Sequence, residues 1–474
     1  MTTSGVPLER RLANLRATLG RAEGGPGVPP ARAPFAGRRP GELAERLAAA
    51  LGAEVVTTPR GSFVRREAPS VDVPLDRERL ARLPGQPPAD VPLLCLDTET
   101  TGLATAAGTL AFLVGLGWWS GDRFRQVQLL LPDHADEPAM LEALAGLIPT
   151  GGWLVTYNGR GFDWPLLVAR YRMTGRDAPP HAGHLDLLGL VRRMFRHRLD
   201  DARLKTVETA LLDVARHGDV GGWEIPGIYL EVLRGGPIEP LAVVVRHNES
   251  DVRSLGRLLA HLEQRYADRV ARAEAPRGDL AGLARAYARD RRDPDALDCL
   301  DDALAAAPPV RDPFGRSPLT AEASASTPAD PDARGELPWW SPRVRPDFGG
   351  RGPAPGMPEA TRDLAGVRWT DERLAAERAR VLRRLGRHAE SAEAWRAAAA
   401  TGGSLGAIAW IEVAKLREHR LRDVPGALEA TRAGWQACER SRLQGRPLPR
   451  LEDDLVRRGR RLRARLDRAG RRVA

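Results

Sequence analysis

The chain has 474 residues, of which 42% are apolar, and this length and composition predict two to four domains with apolar cores of their own. Its formal charge of +10 is compatible with a polyanionic partner but does not identify one. The three cysteines, Cys95, Cys299 and Cys438, are widely spaced, which argues against a disulfide framework or zinc ribbon and favours a reducing, cytoplasmic location. No apolar run approaches the ~20 residues of a membrane span, so we expect no membrane partner.

The first 91 residues predict a basic N-terminal arm followed by small elements that dock on a neighbouring domain. A helix is predicted over residues 42–51 and a hairpin over residues 54–63. The basic arm is compatible with nucleic-acid contact, although a solvated tail with one docked helix explains the pattern better.

Residues 92–268 predict an α/β domain. Apolar residues 93–96 predict a strand buried on both faces, and this strand runs directly into two acidic residues. Two more strands, within residues 110–119 and 124–131, follow after short connections and predict an antiparallel meander. A helix at 137–148 and a strand at 153–156 come next, and shorter strands and helices then alternate, as in α/β domains.

The two acidic residues are Asp97 and Glu99, which lie on the same face of the strand because side chains alternate with a period of two. Two like charges held this close are unfavourable unless a cation neutralises them. Carboxylate oxygens suit Mg²⁺ or Mn²⁺. Taken alone, the pattern is equally compatible with an Asp97 that caps a turn and a solvated Glu99.

Two later segments carry further candidate residues. Segment 157–163 (YNGRGFD) ends in Asp163 at a predicted helix start, where an N-cap is the alternative role. His247 and Asp251 are four residues apart in a predicted helix and therefore face the same way. A pair on a helix surface is the alternative interpretation there.

As a set, the three segments resemble the motifs of the DEDD (DnaQ-like) 3′–5′ exonuclease superfamily, which has the ribonuclease H-like fold. Residues 96–103 (LDTETTGL) are similar to its first motif, residues 157–163 to its second and residues 247–251 to its third. The stretches 108–117 (GTLAFLVGLG) and 185–188 (LDLL) resemble the YprB-type branch most closely. The resemblance covers roughly residues 92–268.

The resemblance implies a ribonuclease H-like mixed sheet with flanking helices and a 3′–5′ exonuclease that hydrolyses DNA or RNA from a 3′ end. Two divalent ions, Mg²⁺ or Mn²⁺, would support a two-metal mechanism. The residues that the resemblance assigns to these ions are the four acids Asp97, Glu99, Asp163 and Asp251. His247 would orient or deprotonate the attacking water. We expect substrate contacts from residues of the first two motifs, namely Thr100, Leu103, Tyr157, Asn158 and Phe162.

The third motif departs from the family pattern. The family usually has a tyrosine with three intervening residues before the aspartate, or a histidine with four, and here His247 stands at the tyrosine spacing. One residue fewer rotates a helical side chain by about 100°. The identity of the base is therefore open. Asp186, a further acid near the second motif, is interpreted as structural or as a support for the ligands, and metal ligation is the less favoured alternative.

The remainder of the chain predicts a helix pair over residues 271–308, a disordered linker over 309–366 and an all-α region over 367–474 with an arginine-rich end. Segments 392–395 (AEAW) and 427–430 (ALEA) are 35 residues apart, close to the tetratricopeptide period, although a generic helical bundle is the alternative. Such helices predict a possible protein partner. The presence of all four acids favours an enzyme over a catalytically silent nucleic-acid-binding or scaffolding protein.

Overall fold

A computed structural model of the protein describes residues 41–102, 108–216, 218, 220–306 and 369–473. Its centre is a seven-stranded mixed sheet with the strand order β1-β2-β5-β4-β3-β6-β7. Strands β1 to β5 have antiparallel neighbours, and β3, β6 and β7 run parallel to one another. The strands are β1 (Glu54–Thr58), β2 (Gly61–Asp72), β3 (Leu93–Thr100), β4 (Ala111–Ser120), β5 (Arg123–Leu130), β6 (Trp153–Thr156) and β7 (Gly183–Asp186). The predicted meander and the internal position of β3 are confirmed.

Strand β3 is buried on both faces because successive side chains enter different cores. Leu94 and Leu96 belong to the core on one side of the sheet, and Leu93 and Cys95 to the core on the other side. None of these four side chains is more than 5% exposed. This burial explains the uninterrupted apolar run at 93–96, which is typical of a central strand covered by helices.

Helices cover both faces of the sheet. In chain order they are α1 (Glu42–Leu51), α2 (Arg77–Leu80), α3 (Glu137–Leu147), α4 (Asp163–Met173), α5 (Leu187–Phe195), α6 (Leu204–Leu211), α7 (Ile225–Leu233) and α8 (Glu239–Tyr266). The long helix α8 packs across β4 and β3. A Cβ atom at Gly115 or Gly117 of β4 would collide with α8 or with Phe124 of β5. The two bare glycines therefore allow α8 to lie directly on the sheet.

The C-terminal region is entirely helical in its described part, as predicted. A helix pair, α9 (Arg277–Arg289) and α10 (Asp293–Ala305), is followed by α11 (Asp371–Arg384), α12 (His388–Ala398), α13 (Gly403–His419), α14 (Val424–Leu443) and α15 (Pro449–Val473). Arg277 of α9 forms an ion pair with Asp371 of α11, and Arg378 of α11 donates to Asp301 of α10 at 2.6 Å. The helix pair thus connects the sheet to the later helices through one continuous apolar core.

The predicted hairpin exists, but it is part of the sheet rather than an element docked beside it. Strand β2 is twelve residues long and pairs with β5 from Val64–Leu130 to Asp72–Arg123, so β5 is not an edge strand. The sheet therefore begins N-terminal to residue 92. The predicted arm at 1–40 and nearly all of the predicted linker lie outside the described residues. Among the described helices, none is both long and apolar enough to span a bilayer.

Candidate active site

Asp97 and Glu99 lie at the carboxyl end of β3, where this strand extends beyond its parallel neighbour. The pairing of β3 with β6 ends at Cys95, whereas its pairing with β4 continues through Asp97 and Glu99 to Thr100. The β3–β4 register shifts between Glu99 and Thr100, which marks an irregularity of the bulge type. The carboxyl ends of parallel strands are the usual place for a site in such sheets.

Asp163 reaches the same end of β3 from the first turn of α4. Its side chain does not cap the helix, so the alternative N-cap role is not supported. Instead its Oδ1 accepts a hydrogen bond of 2.5 Å from the hydroxyl of Thr98, and the residue is only 6% exposed. A buried ion pair between Arg170 of α4 and Glu137 of α3, with contacts of 2.6 and 2.5 Å, fixes the helix that presents Asp163.

His247 and Asp251 lie one turn apart on α8 and face the end of β3, as the i and i+4 spacing predicts. The Nε2 atom of His247 is 3.7 Å from Asp251 Oδ2 and 3.9 Å from Glu99 Oε1. The side chains of His247 and Asp251 are 16% and 17% exposed, which leaves a narrow opening to solvent. The helix surface pair is therefore excluded, because both side chains point toward the sheet.

The four acids repel one another. Burial raises the pKa of Asp97 well above its ordinary value, and the charges of Asp251, Asp163 and Glu99 raise it further. Burial also raises the pKa of Asp163 to about 6, although the hydrogen bond from Thr98 opposes this shift. Carboxylates perturbed in this way are concentrated at functional sites.

Two residues that the sequence analysis did not select stabilise this negative charge, one by a hydrogen bond and one by its positive charge. Asn248, which is fully buried, donates from Nδ2 to Asp97 Oδ2 at 2.9 Å and accepts at Oδ1 from Gln128 of β5 at 2.9 Å. The guanidinium of Arg216 contacts both Asp251 and the buried Glu208 of α6. In the sequence, Asn248 was marked only by its position next to His247, and no sequence feature indicated a role for Arg216.

Arg216 also favours one tautomer of a neutral His247 ring. Its Nη1 lies 3.3 Å from Nδ1 of His247. Because a guanidinium can only donate, a neutral His247 ring accepts at Nδ1 and carries its proton on Nε2, which faces Glu99 and Asp251. Burial lowers the pKa of Arg216, but the hydrogen bond to Glu208 and the charge of Asp251 outweigh it and raise that pKa above its usual range.

The donor set suits a hard divalent cation, since carboxylate oxygens that repel one another are stabilised by such an ion. In the arrangement with Arg216 and Asn248 on the acids, however, the described ranges contain no group of three His, Cys, Asp or Glu side chains that could hold a metal ion. Cation binding at Asp97 and Asp251 would therefore require these two polar side chains to move.

The second motif forms the loop beside the acids. Asn158 adopts a positive φ of 71° and is exposed, and the backbone N–H groups of Asn158 and Arg160 donate to the carboxylate of Asp186 at 2.9 and 3.3 Å. Asp186 also caps α5 through Leu188 N–H at 3.1 Å, in keeping with its structural interpretation. The hydroxyl of Tyr157 donates to Ala202 O at 2.6 Å, so it anchors this loop.

Two of the other expected substrate-binding residues, Thr100 and Phe162, are sequence neighbours of the acids. Thr100 is buried, and its hydroxyl donates to Gly102 O at 2.6 Å. Phe162 is half-buried directly before Asp163. Leu103 lies outside the described residues.

Comparison with known proteins agrees with this architecture. Residues 94–263, from β3 to the last turn of α8, match the family model described as RNase_H superfamily. A protein of Bacillus subtilis (strain 168) named Uncharacterized protein YprB is 37% identical over 175 residues. That match covers 36% of the present chain and 42% of the relative, so the chain spans less than half the length of this curated relative. The predicted ribonuclease H-like fold class is thus confirmed.

Proposed function

We propose that the ribonuclease H-like part of the chain is a metal-dependent 3′–5′ exonuclease that hydrolyses phosphodiester bonds of nucleic acid. The observation that carries this proposal is the convergence of Asp97, Glu99, Asp163 and Asp251 with His247 at one strand end, with raised pKa values of Asp97, Asp163 and Asp251. Such a concentration of negative charge weakens the fold and serves a purpose when cations bind to it.

The four acids would hold Mg²⁺ or Mn²⁺, and Asp97 is best placed to share two ions because the other three carboxylates surround it electrostatically. When bound, two such ions stabilise the attacking and leaving oxygens of a phosphodiester. The chain itself contributes the rigid positions of the ligands. Asp97 and Glu99 are fixed by strand pairing, Asp163 by the hydrogen bond from Thr98, and Asp251 by its place on the long helix α8.

His247 would handle the proton of the attacking water. While Arg216 occupies Nδ1, the ring directs its Nε2 proton at Glu99 and Asp251 and so offsets their charge. Once the acids ligate cations, that offset is no longer needed. We propose that Arg216 then leaves Nδ1, as cation binding at Asp251 would require, so that the neutral ring can carry its proton on Nδ1. The unprotonated Nε2 would then accept a proton from water held beside the acids, which is a contribution typical of general bases.

The proposed 3′-to-5′ direction of hydrolysis rests on the likeness of the three motifs to those of DEDD exonucleases, which act at 3′ ends. Asn158, Phe162 and Thr100, together with Tyr157 and Leu103, would line the path of the terminal nucleotide. The exposed position of Asn158 and the partial exposure of Phe162 are compatible with this role. A silent scaffold is the less favoured proposal, because it gives no reason for the mutually repelling acids.

Several finer expectations stay predictions. They are the domain boundaries, the tetratricopeptide-like character of the C-terminal helices, a protein partner for those helices and a cytoplasmic location. The described helices of that region support a helical surface, but they do not identify a partner.

The test is digestion of 5′-labelled and 3′-labelled DNA and RNA oligonucleotides by the full chain with Mg²⁺ or Mn²⁺, beside an Asp97→Ala control. The expected result is a ladder of shortened 5′-labelled products and early release of the 3′ label, both absent from the control and in chelator. Absence of cleavage by the wild-type chain, or equal cleavage by the Asp97→Ala chain, would refute the proposal. Internal cleavage alone would refute the exonuclease assignment.

A further inference from the structure

A cavity along α8 adjoins the carboxylates. It has a volume of about 370 Å³ and lies between α8 and the segment that contains Val214, Ala215 and Arg216. This volume is at the small end of the range for pockets that bind small ligands. We call it the arginine cavity, because four of its described lining residues are Arg216, Arg246, Arg253 and Arg257.

Three of these arginines share one face of α8. Arg246, Arg253 and Arg257 stand at i, i+7 and i+11, a spacing that aligns side chains along a helix of 3.6 residues per turn. Ser250, at i+4, lies between them and adds a hydroxyl to the same wall. The helix therefore presents a column of donors to the cavity.

The positive charge of the arginine cavity is only partly compensated. None of its described lining residues is acidic. Arg253 contacts Glu249, but Glu249 also pairs with Arg66 at 2.8 Å, so two arginines share one carboxylate. Among the described residues, no salt bridge involves Arg246 or Arg257. Burial lowers the pKa of Arg257, and the charge of Arg253 lowers it further, whereas the charge of Glu208 opposes this shift only in part.

The arginine cavity and the carboxylate centre have a common wall. His247 and Arg216 line the cavity, while His247 also faces Glu99 and Asp251 and Arg216 also contacts Asp251. A positive pocket thus lies beside a negative centre that suits cations. A nucleic-acid strand presents a row of phosphates, so one phosphate can lie at the acids while another reaches the arginines.

We propose that the arginine cavity binds a phosphate group of the nucleic-acid backbone adjacent to the bond that is cleaved. Arg246 and Arg257 would donate to its oxygens, Ser250 would add a hydrogen bond, and Arg253 would contribute charge from its shared position. Guanidinium groups suit this ligand because their planar fork matches phosphate oxygens. This inference rests on the proposed function, since it assigns a substrate contact to the same site.

The test is nucleic-acid binding by the full chain in chelator, measured by fluorescence anisotropy with short single-stranded and duplex DNA and RNA. The test variant is Arg246→Gln with Arg257→Gln. The matched control is Arg265→Gln, which removes the same charge from an exposed position in the last turn of α8, outside the cavity. Circular dichroism of each variant verifies that the helices remain folded.

The double variant should bind about ten- to a hundredfold more weakly than the wild type, as expected when hydrogen bonds to one charged group are lost. The slope of log affinity against log salt concentration should decrease by about 0.7 for a single strand, the amount for one phosphate contact. The Arg265→Gln variant should keep the wild-type affinity and slope. A double variant that binds like the wild type, or a wild-type chain that binds no oligonucleotide, would overturn the inference.

Calorimetry with inorganic phosphate separates the two sources of this ligand. If inorganic phosphate binds the wild type and not the double variant while oligonucleotide affinity is unchanged, the cavity serves a free phosphate compound and the inference is overturned. Because binding is measured without divalent ions, its outcome is independent of cleavage. A chain that shows the expected binding but cleaves nothing would refute the proposed function and leave the arginine cavity as a nucleic-acid contact.

Discussion

Two carboxylates in different regions of the molecule have opposite surroundings. Glu418 on α13 of the helical region is 3% exposed and accepts from Arg458, Arg461 and Arg465 of α15 at distances between 2.6 and 3.1 Å. Burial raises the pKa of Glu418, but the hydrogen bond and charge of Arg461 outweigh this effect and lower the pKa overall. Asp97, in contrast, is surrounded by other carboxylates, and its pKa is raised.

The comparison shows that Glu418 stabilises the fold, whereas the charge of Asp97 is unfavourable and depends on the rest of the fold to keep it in position. Three arginines stabilise the charge of Glu418, so this residue connects α13 to α15. The charge of Asp97 has the amide of Asn248 as its hydrogen-bond partner and three acids as neighbours. Local rules of stability are expected to be violated where a chain has a function, which agrees with the proposed role of Asp97.

The largest expected effect concerns turnover at the carboxylate centre. His247→Ala should lower the rate of cleavage by about 10²–10⁴-fold, because the proposed base is lost while the four acids remain. The measurement is single-turnover digestion of the labelled oligonucleotide. His419→Ala, next to Glu418 and more than half exposed, is the control and should keep the wild-type rate. An unchanged rate in His247→Ala would make the imidazole a bystander.

A change at Glu418 should affect stability and leave catalysis intact. Glu418→Ala leaves three arginines facing one another, and removal of one partner from a buried ion pair costs about 3–5 kcal/mol of unfolding free energy. Urea unfolding followed by circular dichroism measures this loss. Glu429→Ala on α14 is the control, since its side chain is 82% exposed and 3.8 Å from Arg417, and should change stability by at most about 1 kcal/mol. Equal stability of both variants would erase the contrast between the two regions.

Neutralising an acid of the carboxylate centre should stabilise the fold, whereas the change at Glu418 destabilises it. Asp163→Asn should raise the unfolding free energy in chelator by about 1–3 kcal/mol, since the raised pKa of about 6 means that ionisation weakens the fold. The gain should be complete above that pKa and vanish as the pH falls below the ordinary value of an aspartate, where both states are protonated. Thermal unfolding at about pH 8 and about pH 4 measures it. A loss of stability at the higher pH would show that Asp163 is a structural acid like Glu418.

Much of the fold was predictable because its signals are local. The apolar run before Asp97, the period of the helices and the turn residues between strands predicted the meander and the all-α region correctly. The pairing of β2 with β5 was missed, since residues 61–72 and 123–130 are far apart in sequence and nothing in either strand specifies the other.

The candidate site was also predictable where its signals are local in sequence. Strand and helix periodicity placed Asp97, Glu99 and Asp251 on the correct faces. Arg216 and Asn248 were missed because their contacts depend on tertiary geometry: Asn248 reaches a residue 151 positions away, and the long side chain of Arg216 has no preferred direction in sequence. Glu208 was missed because a glutamate in a short helix is usually exposed, whereas this one is completely buried.

The most direct test of the account is calorimetric titration of the full chain with Mn²⁺, which asks whether the repelling acids are a cation site. The wild type should bind Mn²⁺, Asp97→Asn should bind it at least about tenfold more weakly, and Glu418→Gln, which removes a buried charge from the other region, should bind like the wild type. Absence of binding to the wild type, or equal binding by Asp97→Asn, would contradict the account.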